Sequence, residues 1–382
     1  MPRASRTIMI MAGGTGGHIF PALSVAEYLR AQGWNIVWLG ARSGMEGKVV
    51  PPRGYTTAWI RFSGLRGKGL LRALLLPLNL LIAFWQSARA IFFHRPDVVL
   101  GMGGYVAFPG GMMASLLNRP LVIHEQNSVA GLANRVLALV ADRILVAFPD
   151  PFSRKAEGAR QKAEGMKAFH PSSFIPHPSS FAVVGNPVRG EIAAVAQPEA
   201  RFTGRSGRLQ LLVIGGSLGA QVLNQTVPQA LALLPENARP RVTHQSGADH
   251  LELLRENYAR AGVAAELVPF IEDMAAHFAA ADAVICRAGA TTIAELAAAG
   301  VASVLVPYPY AVDDHQTVNA RYLVERGAAV LIPQREFTAE KLARLLAEFT
   351  REKLLTMARA ARAAAQPEAT RAVAEVCMEL AT

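Results

Sequence analysis

The sequence predicts an α/β protein built from two doubly wound parallel-sheet domains, and three observations lead to that fold class. The chain has 382 residues, which suits two domains of ordinary size. Short apolar runs alternate with helical patterns along its length, as in a parallel sheet with crossover helices. In each half, two of these runs open into turns of glycine and other small residues, which indicates one architecture used twice.

The first half contains three strand candidates in order. TIMIMA (7–12) runs into GGTGGH (13–18), NIVWLG (35–40) follows a helical pattern, and DVVLGMGG (97–104) ends in another glycine cluster. In an open parallel sheet, ligands bind beyond the carboxyl ends of the strands, where loop N–H groups and helix N-termini point outward. The two glycine-rich turns are therefore the candidate binding site of the first half.

The second half repeats this arrangement. LQLLVI (209–214) runs into GGSLGA (215–220), and DAVICRAGATT (282–292) again ends a strand in small residues. A dinucleotide-binding dehydrogenase is the obvious rival, but neither loop satisfies its G-x-G-x-x-G spacing, because Ile19 and Ser217 occupy positions that require glycine.

The composition excludes several classes of protein. Apolar residues make up 51% and charged residues 18%, which excludes a disordered chain and supplies enough material for a core. The two cysteines, Cys286 and Cys377, are too few for a disulfide framework and fit a reducing compartment. No Cys/His cluster has the spacing of zinc ligands, so no metal site is predicted.

Neither apolar segment of the first half predicts export or a membrane span. The first, residues 7–12, is shorter than the ~7 to 15 apolar residues of a secretion signal and fits a first β-strand. The second, residues 70–85, is interrupted by Arg72, Pro77 and Asn79 and falls short of the ~18 to 20 apolar residues of a span. We therefore expect a cytoplasmic protein that does not span a membrane.

The net charge of +10 is unevenly placed. Residues 1–152 carry a net +9, residues 153–208 a net +5, and residues 209–382 a net −4. An excess confined to one region indicates a local anionic partner, either a membrane surface or a phosphorylated substrate. Nucleic acid is disfavoured, because the basic residues are not interleaved with base-stacking aromatics.

The connector between the halves contains a short tandem duplication, HPSSF at 170–174 and again at 177–181. Its Pro- and Ser-rich composition predicts an exposed, poorly ordered insertion over residues 154–180 without a catalytic role. The motif VGNPVR that follows is expected to be ordered.

Several polar residues in the turns are candidates for chemistry. His18 closes the first glycine loop beside Thr15, and histidine exchanges protons near neutral pH; the alternative is that it only caps or packs. HEQN (124–127) follows the apolar run LVI and holds more polar residues than a turn needs, which favours a role in the cleft. Ser217 suits a diphosphate at a helix N-terminus, with a helix N-cap as its alternative role.

Glu295 has two interpretations. With Thr292 it forms a capping-box pattern, which explains both residues as signals of a helix start and is favoured by spacing alone. It could instead accept hydrogen bonds from ribose hydroxyls. No D-x-D pair is present to hold a metal-bound diphosphate, so the leaving charge would be met by N–H groups, hydroxyls and Arg189.

An apolar stripe with helical spacing lies in the first half, restarting or kinking at Pro77. Its members are Leu71, Leu75, Leu78, Ile82 and Trp85. The basic residues around it are Arg61, Arg66, Lys68, Arg72, Arg89 and Arg95. A core-facing helix would explain the stripe, but the basic flanks favour a segment that lies on an anionic bilayer.

Nine motifs identify a family resemblance between about residues 7 and 375, outside the insertion. In order they are GGTGGH, RFSGLRGKG, DVVLGMGGYV, HEQN, VGNPVR, GGSLGA, HQSG, FIEDM and CRAGATTIAE. Together they resemble the MurG family of bacterial peptidoglycan N-acetylglucosaminyltransferases, which convert lipid I to lipid II. The resemblance implies a GT-B fold, with two Rossmann-like domains facing across a cleft, and a peripheral location on the cytoplasmic face of the cell membrane.

The resemblance also implies substrates and site residues. The donor would be UDP-N-acetylglucosamine (UDP-GlcNAc), and the acceptor would be the undecaprenyl-diphosphate-linked muramoyl pentapeptide. The implied substrate-binding residues are Thr15, Gly16, Gly17, Asn127, Arg189, Ser217, Ile271, Ala290, Thr291, Thr292, Ile293, Ala294, Glu295 and Gln316. Among them Arg189 and Ser217 would meet the diphosphate, the backbone of Ile271 would read uracil, and Glu295 would bind the ribose. Where the family has adjacent glutamines, this chain has His315 and Gln316.

From these assignments we predict an inverting transfer in which the muramoyl 4-hydroxyl attacks the anomeric carbon and UDP leaves. His18 is the first candidate for general base and Glu125 the second. No cofactor is expected, and a divalent cation is left open. We predict an acceptor- and membrane-binding domain over residues 1–185, a UDP-GlcNAc-binding domain over 186–357, and a C-terminal helix over 358–382 that returns to the first domain.

Two alternatives belong to other functional classes. A UDP-GlcNAc epimerase or another GT-B UDP-sugar enzyme can share the architecture and the donor, but an epimerase has no need of the apolar, basic segment. A basic membrane-surface binding protein would bind lipid irrespective of UDP-GlcNAc and would transfer no sugar.

Overall fold

A computed structural model describes residues 5–62, 75–152, 181–216, 219–311 and 314–381. The chain divides into two compact units. Unit 1 comprises Met1–Val188 and Glu368–Thr382, and unit 2 comprises Arg189–Pro367. The insertion predicted over 154–180 lies outside the described residues. A strand begins directly after it, at Phe181.

Unit 1 is built on a seven-stranded sheet in the order β3-β2-β1-β4-β5-β6-β7, with every neighbouring pair parallel. Its strands are β1 Thr7–Met11, β2 Asn35–Gly40, β3 Thr56–Trp59, β4 Val98–Gly101, β5 Leu121–Glu125, β6 Arg143–Val146 and β7 Phe181–Val183. The strand order reverses between β1 and β4, and ligands bind at such a switch point in doubly wound sheets.

Helices cover both faces of this sheet. They are α1 Gly16–Ala31, α2 Glu46–Val49, α3 Leu76–His94, α4 Ala107–Leu116, α5 Leu132–Leu137 and, from the end of the chain, α15 Ala369–Leu380. Strand β1 shows why its apolar run forms the centre of the unit: Ile8 and Ile10 belong to one core cluster, whereas Met9 and Met11 belong to another. All four side chains are fully buried, as in a strand covered on both faces.

Unit 2 contains a six-stranded, all-parallel sheet in the order β10-β9-β8-β11-β12-β13. Its strands are β8 Gln210–Ile214, β9 Arg241–Gln245, β10 Glu266–Val268, β11 Ala283–Cys286, β12 Ala302–Leu305 and β13 Ala329–Leu331. Its helices are α6 Gly190–Ala193, α7 Pro198–Phe202, α8 Gln221–Ala232, α9 Leu251–Ala261, α10 Met274–Ala280, α11 Ala290–Ala299, α12 His315–Val324, α13 Ala339–Ala347 and α14 Arg351–Ala363. The order reverses between β8 and β11, so both units have the doubly wound arrangement and the predicted fold class is confirmed.

The C-terminal return begins later than predicted. Residues 358–367 belong to unit 2, because α14 packs against α7 and α11. The chain enters unit 1 at Glu368, and α15 then packs on α1. Nη1 of Arg6 donates to the carbonyl oxygen of Met378 at 3.3 Å. This hydrogen bond joins α15 to the residue that precedes β1.

Candidate functional site

The glycine loop after β1 is held in place by Glu46, which is not among the predicted site residues. Its Oε2 accepts the N–H of Gly14 at 3.1 Å, and its Oε1 accepts the N–H of Ala41 at 3.0 Å. The hydroxyl of Tyr105 donates to the same Oε1 at 3.3 Å. Glu46 is fully buried, and a Cβ on Gly13 would lie 2.5 Å from its Oε1. The glycine-rich sequence therefore lets the loop close over a buried carboxylate.

Burial and the Glu46 charge together raise the pKa of Tyr105 to about 12, so its hydroxyl remains a donor at neutral pH. No local signal in the sequence marks Glu46, since a single acid in a four-residue helix resembles any solvated charge.

His18 is the third residue of α1 and points to the strand ends. Its Nδ1 lies 2.8 Å from Oε1 of Gln126, and Nε2 of Gln126 donates to the carbonyl of Met102 at 2.5 Å. His18 is preceded in the helix by Gly16 and Gly17, and Thr15 is the N-cap, with its carbonyl accepting the N–H of His18 at 3.1 Å. The structure thus brings together Thr15, the two glycines and His18, and adds Gln126, which was inside the HEQN motif but was not selected.

Glu125 lies in the last position of β5, so the strand extends through His124 and Glu125 instead of ending at LVI. The extension forms because His124 pairs with Leu145 and Glu125 with Val146 of β6. Both residues are consequently buried in the sheet rather than placed in a turn.

The carboxylate of Glu125 organises the loop that follows. Oε1 accepts the backbone N–H of Asn127 at 2.9 Å and its Nδ2 at 3.2 Å. Oε2 accepts the N–H of Gly131 at 3.2 Å and Nδ2 of Asn134 at 2.9 Å. Four donors occupy this buried carboxylate, which disfavours Glu125 as a general base relative to His18.

His124 has a structural environment. Its ring is fully buried, and Nε2 lies 2.9 Å from the carbonyl of Gly185. Burial lowers the pKa of His124 to about 4, so the ring is neutral at pH 7 and donates to Gly185 from Nε2. The contact ties the end of β5 to the VGNPVR segment, as does Asn186, whose Nδ2 donates to the carbonyl of Gln126 at 3.0 Å.

In unit 2, the loop after β8 leads into α8 at Gln221. Its N-cap is Ala220, whose side chain carries no hydrogen-bonding group, so Ser217 is not the N-cap of this helix. Gly219 has φ +73°, and a Cβ there would collide with the carbonyl oxygen of Ser246. Ser217 itself lies outside the described residues.

The segment Ala290–Glu295 lies at the start of α11, which begins at Ala290 after Gly289. The capping-box interpretation of Thr292 and Glu295 is wrong, because Thr292 is the third residue of the helix and not its N-cap. Among the implied donor-binding residues of this turn, Ala290 and Ile293 are buried, and Thr291, Thr292 and Ala294 are half-buried.

Glu295 instead forms an ion pair with Arg189. Both Nε and Nη2 of Arg189 donate to Oε1 of Glu295, at 3.1 and 2.9 Å. Burial raises the pKa of the Glu295 carboxyl, and the Arg189 charge opposes that rise. The predicted diphosphate residue and the predicted ribose residue are therefore direct neighbours.

Gln316 joins the loops that follow β11 and β12. Its Oε1 accepts the N–H of Tyr308 at 2.9 Å and the N–H of Ala288 at 3.3 Å. With Oε1 engaged, the amide presents its N–H₂ group as a donor suited to a sugar hydroxyl. His315 precedes it as the first residue of α12, and Ile271 lies with a buried side chain in the loop between β10 and α10.

Within the described ranges, no group of three or more His, Cys, Asp and Glu side chains is arranged to hold a metal ion. Cys286 and Cys377 are both buried free thiols.

Helix α3 carries the apolar stripe. It begins at Leu76 with Pro77 in its first turn, where proline fits a helix start and does not kink the helix. One face, with Ala83, Ser87 and Ile91, is buried. The other face exposes large apolar side chains, at Leu78, Leu81, Ile82, Trp85, Phe92 and Phe93. The stripe is thus not core-facing; Leu71, Arg66, Lys68 and Arg72 lie outside the described residues.

Helix α3 is also long and apolar enough to cross a membrane. It packs along α4 in unit 1 and leaves most of its apolar surface exposed.

Two family models match this chain, one in each half. Residues 8–146 match the glycosyltransferase family 28 N-terminal domain, and residues 210–376 match the glycosyltransferase family 28 C-terminal domain. A protein of Aromatoleum aromaticum is 60% identical over 376 residues, covering 98% of each chain. One of Nitrosospira multiformis is 58% identical over 376 residues, covering 98% of this chain and 99% of the relative. Both are named UDP-N-acetylglucosamine--N-acetylmuramyl-(pentapeptide) pyrophosphoryl-undecaprenol N-acetylglucosamine transferase.

Solved structures are similar to this chain over nearly its whole length. The crystal structure of Acinetobacter baumannii MurG superposes with a TM-score of 0.78 at 38% identity, covering 98% of this chain and 99% of that one. A putative UDP-N-acetylglucosamine 2-epimerase from Listeria monocytogenes has a TM-score of 0.61 at 14% identity, a likeness of fold alone. With both domains matched in order and full-length relatives at this identity, the chain belongs to glycosyltransferase family 28.

Proposed function

We propose that this enzyme transfers N-acetylglucosamine from UDP-GlcNAc to the 4-hydroxyl of undecaprenyl-diphospho-N-acetylmuramoyl-pentapeptide, forming a β-1,4 bond. The observation that carries the proposal is full-length identity of 57–60% to relatives named for this transfer. The fold alone would also fit an epimerase, but the putative epimerase from Listeria monocytogenes is only 14% identical to this chain.

The acceptor reacts at unit 1. The muramoyl 4-hydroxyl attacks the anomeric carbon of the donor while the bond from that carbon to the diphosphate oxygen breaks. His18 takes the hydroxyl proton, and UDP departs with the bonding electron pair. The hydrogen bond from the Gly14 N–H to Glu46 fixes the loop, and the N-terminus of α1 beside it suits an anionic group of the substrate.

The donor binds at unit 2. The N-termini of α8 and α11 and the guanidinium of Arg189 meet the diphosphate, with Ser217 as a hydroxyl donor. Glu295 accepts from the ribose hydroxyls, the backbone at Ile271 reads uracil, and the amide N–H₂ of Gln316 donates to the sugar. Asn127 binds the sugar hydroxyls. The diphosphate charge is met by these protein groups without a cofactor.

The enzyme acts at an anionic membrane surface, on the cytoplasmic side where a nucleotide sugar is available, and the exposed apolar face of α3 supports this part of the proposal. Its apolar side chains enter the interface while Arg89 and Arg95 meet lipid phosphates. This arrangement brings the enzyme to a lipid-linked acceptor without a span.

An assay with radiolabelled UDP-GlcNAc separates the candidates. With a lipid I analogue we expect label in a product that carries a new β-1,4-linked N-acetylglucosamine, and without acceptor we expect unchanged UDP-GlcNAc. A new sugar nucleotide formed without acceptor would instead show an epimerase. Lipid binding without any turnover would show a surface-binding protein.

A further inference from the structure

The hydrogen bonds of Gln126 determine which nitrogen of His18 carries a proton. The amide of Gln126 faces the carbonyl oxygen of Met102 at 2.5 Å. Two oxygens cannot approach that closely without repulsion, so the amide nitrogen must be the group that faces Met102. The amide oxygen is thereby turned toward His18, where it lies 2.8 Å from Nδ1.

An amide oxygen only accepts hydrogen bonds, so Nδ1 of His18 must be the donor. A neutral imidazole has one N–H, and when that proton is on Nδ1 the lone pair is on Nε2. We infer that Gln126 is a positioning residue that fixes His18 in its Nδ1–H tautomer and so leaves Nε2 as the proton acceptor. Its relevance to catalysis rests on the proposed function, whereas the tautomer itself does not.

The surroundings of Gln126 make this orientation rigid. Its side chain is buried, and its own carbonyl accepts the Nδ2 of Asn186 at 3.0 Å. Gly103 follows Met102 with φ +92°, and a Cβ there would lie 2.6 Å from Nδ1 of His18 and 3.2 Å from Oε1 of Gln126. The hydrogen bond between the two side chains therefore requires glycine at position 103.

An amide orients the ring much as the aspartate of a Ser-His-Asp triad does, but it adds no charge. The nearby carboxylate of Glu125 is engaged by the four donors of its own loop. Gln126 thus supplies orientation without competing for the proton that His18 takes from the acceptor.

The ¹⁵N NMR spectrum of histidine-labelled enzyme tests the tautomer without any assay of activity. The chain has nine histidines, and the spectrum of His18→Ala identifies the resonances of His18 by their loss. In the neutral ring we expect a protonated Nδ1 and a bare Nε2. A protonated Nε2 in the native enzyme would overturn the inference, whether or not the enzyme transfers sugar.

A second test is Gln126→Met, which keeps the approximate shape and removes both hydrogen bonds. We expect kcat to fall about 100-fold or more, since a wrong tautomer costs ~10⁴ in a serine protease, with the KM for UDP-GlcNAc changed less than about threefold. Gln86→Met is the matched control, because it removes a Gln hydrogen bond to the backbone N–H of Arg61 and should retain kcat.

The outcomes separate the two proposals. Wild-type kcat in Gln126→Met, with His18→Ala inactive, would overturn the role of Gln126 and leave the transferase function standing. Absence of sugar transfer by the native enzyme would overturn the function, and the NMR result would still decide the tautomer. If Gln126→Met does not fold, the native spectrum decides alone.

Discussion

Arg189 donates both Nε and Nη2 to a single carboxylate oxygen of Glu295, so the first residue of unit 2 is ion-paired to the first helical turns of α11. The side chains are 21% and 10% exposed, which leaves the pair at the edge of solvent. Two residues assigned to different parts of the nucleotide are therefore coupled before any ligand binds. A change in one should alter how the other meets the donor.

Glu295→Ala is expected to raise the KM for UDP-GlcNAc, because it removes the ribose acceptor and releases Arg189 from its fixed position. The rise should be about tenfold or more, the range expected for loss of a charge-assisted hydrogen bond of ~1.5 to 3 kcal/mol. Initial rates at varied UDP-GlcNAc measure it. An unchanged KM with a lower melting temperature would assign Glu295 to structure alone.

Glu46→Gln should weaken the glycine loop after β1. The amide has one acceptor oxygen, so at least one of the N–H groups of Gly14 and Ala41 loses its partner, at a cost of about 1 to 3 kcal/mol in unfolding free energy. We expect lower kcat as well, since the same loop leads into His18. Denaturant unfolding and initial rates measure the two effects. Glu27→Gln, at a side chain 53% exposed, is the matched control and should leave both values near those of the native enzyme.

The stability of unit 2 should fall as the pH decreases from 7 to 5. Burial lowers the pKa of His244 from 6.5 to about 3, and the ring is enclosed by Asn224 and Tyr258. The unfolded chain therefore binds a proton below about pH 6.5 while the folded chain does not, so this contribution is complete above that pH and lost on acidification.

Between pH 7 and 5 the loss amounts to about 2 kcal/mol for one such histidine. The free energy of unfolding of His244→Gln, measured with urea, should fall by about 2 kcal/mol less between pH 7 and 5 than that of the native enzyme. The variant should nevertheless be less stable than the native enzyme at pH 7. His124 contributes with the same sign in unit 1, because burial lowers its pKa to about 4. Equal pH slopes in the native enzyme and His244→Gln would disprove the assignment.

Trp85→Glu should reduce binding to vesicles that contain anionic phospholipid. Trp85 is 66% exposed on α3, so the substitution removes apolar area from the lipid-facing side and adds a repulsive charge without disturbing the core. A loss of about tenfold or more in the partition coefficient is expected. Leu233→Glu, at a side chain 55% exposed in unit 2, is the control. Equal losses in both variants would show that α3 is not the membrane-binding face.

The strands and their glycine-rich turns could be predicted because each signal is local. NIVWLG forms β2 over the predicted residues, and TIMIMA forms β1 one residue shorter. The glycines mark positions where the backbone turns with positive φ, as at Gly14 and Gly103. Since both sheets are parallel, these turns follow the carboxyl ends of the strands and lie at one edge of each sheet. This edge is where the sequence predicts the candidate site of each unit.

What could not be predicted depends on partners distant in the sequence. Glu46 contacts Gly14 and Tyr105 across 32 and 59 positions, and Gln126 reaches His18 across 108. The sequence predicts that HEQN follows the strand LVI, because strand pairing with β6 has no local signature, yet that pairing extends the strand through Glu125 and buries His124 and Glu125. The capping-box spacing at Thr292 was also misleading, since the helix begins two residues earlier.

The initial rate of label transfer from UDP-GlcNAc to a lipid I analogue, compared between the native enzyme and His18→Ala, tests the central claim most directly. We predict a lipid-linked β-1,4 product from the native enzyme and turnover reduced by about 100-fold or more in the variant, because His18 takes the proton from the attacking hydroxyl. Near-normal turnover in a correctly folded His18→Ala enzyme would contradict the account.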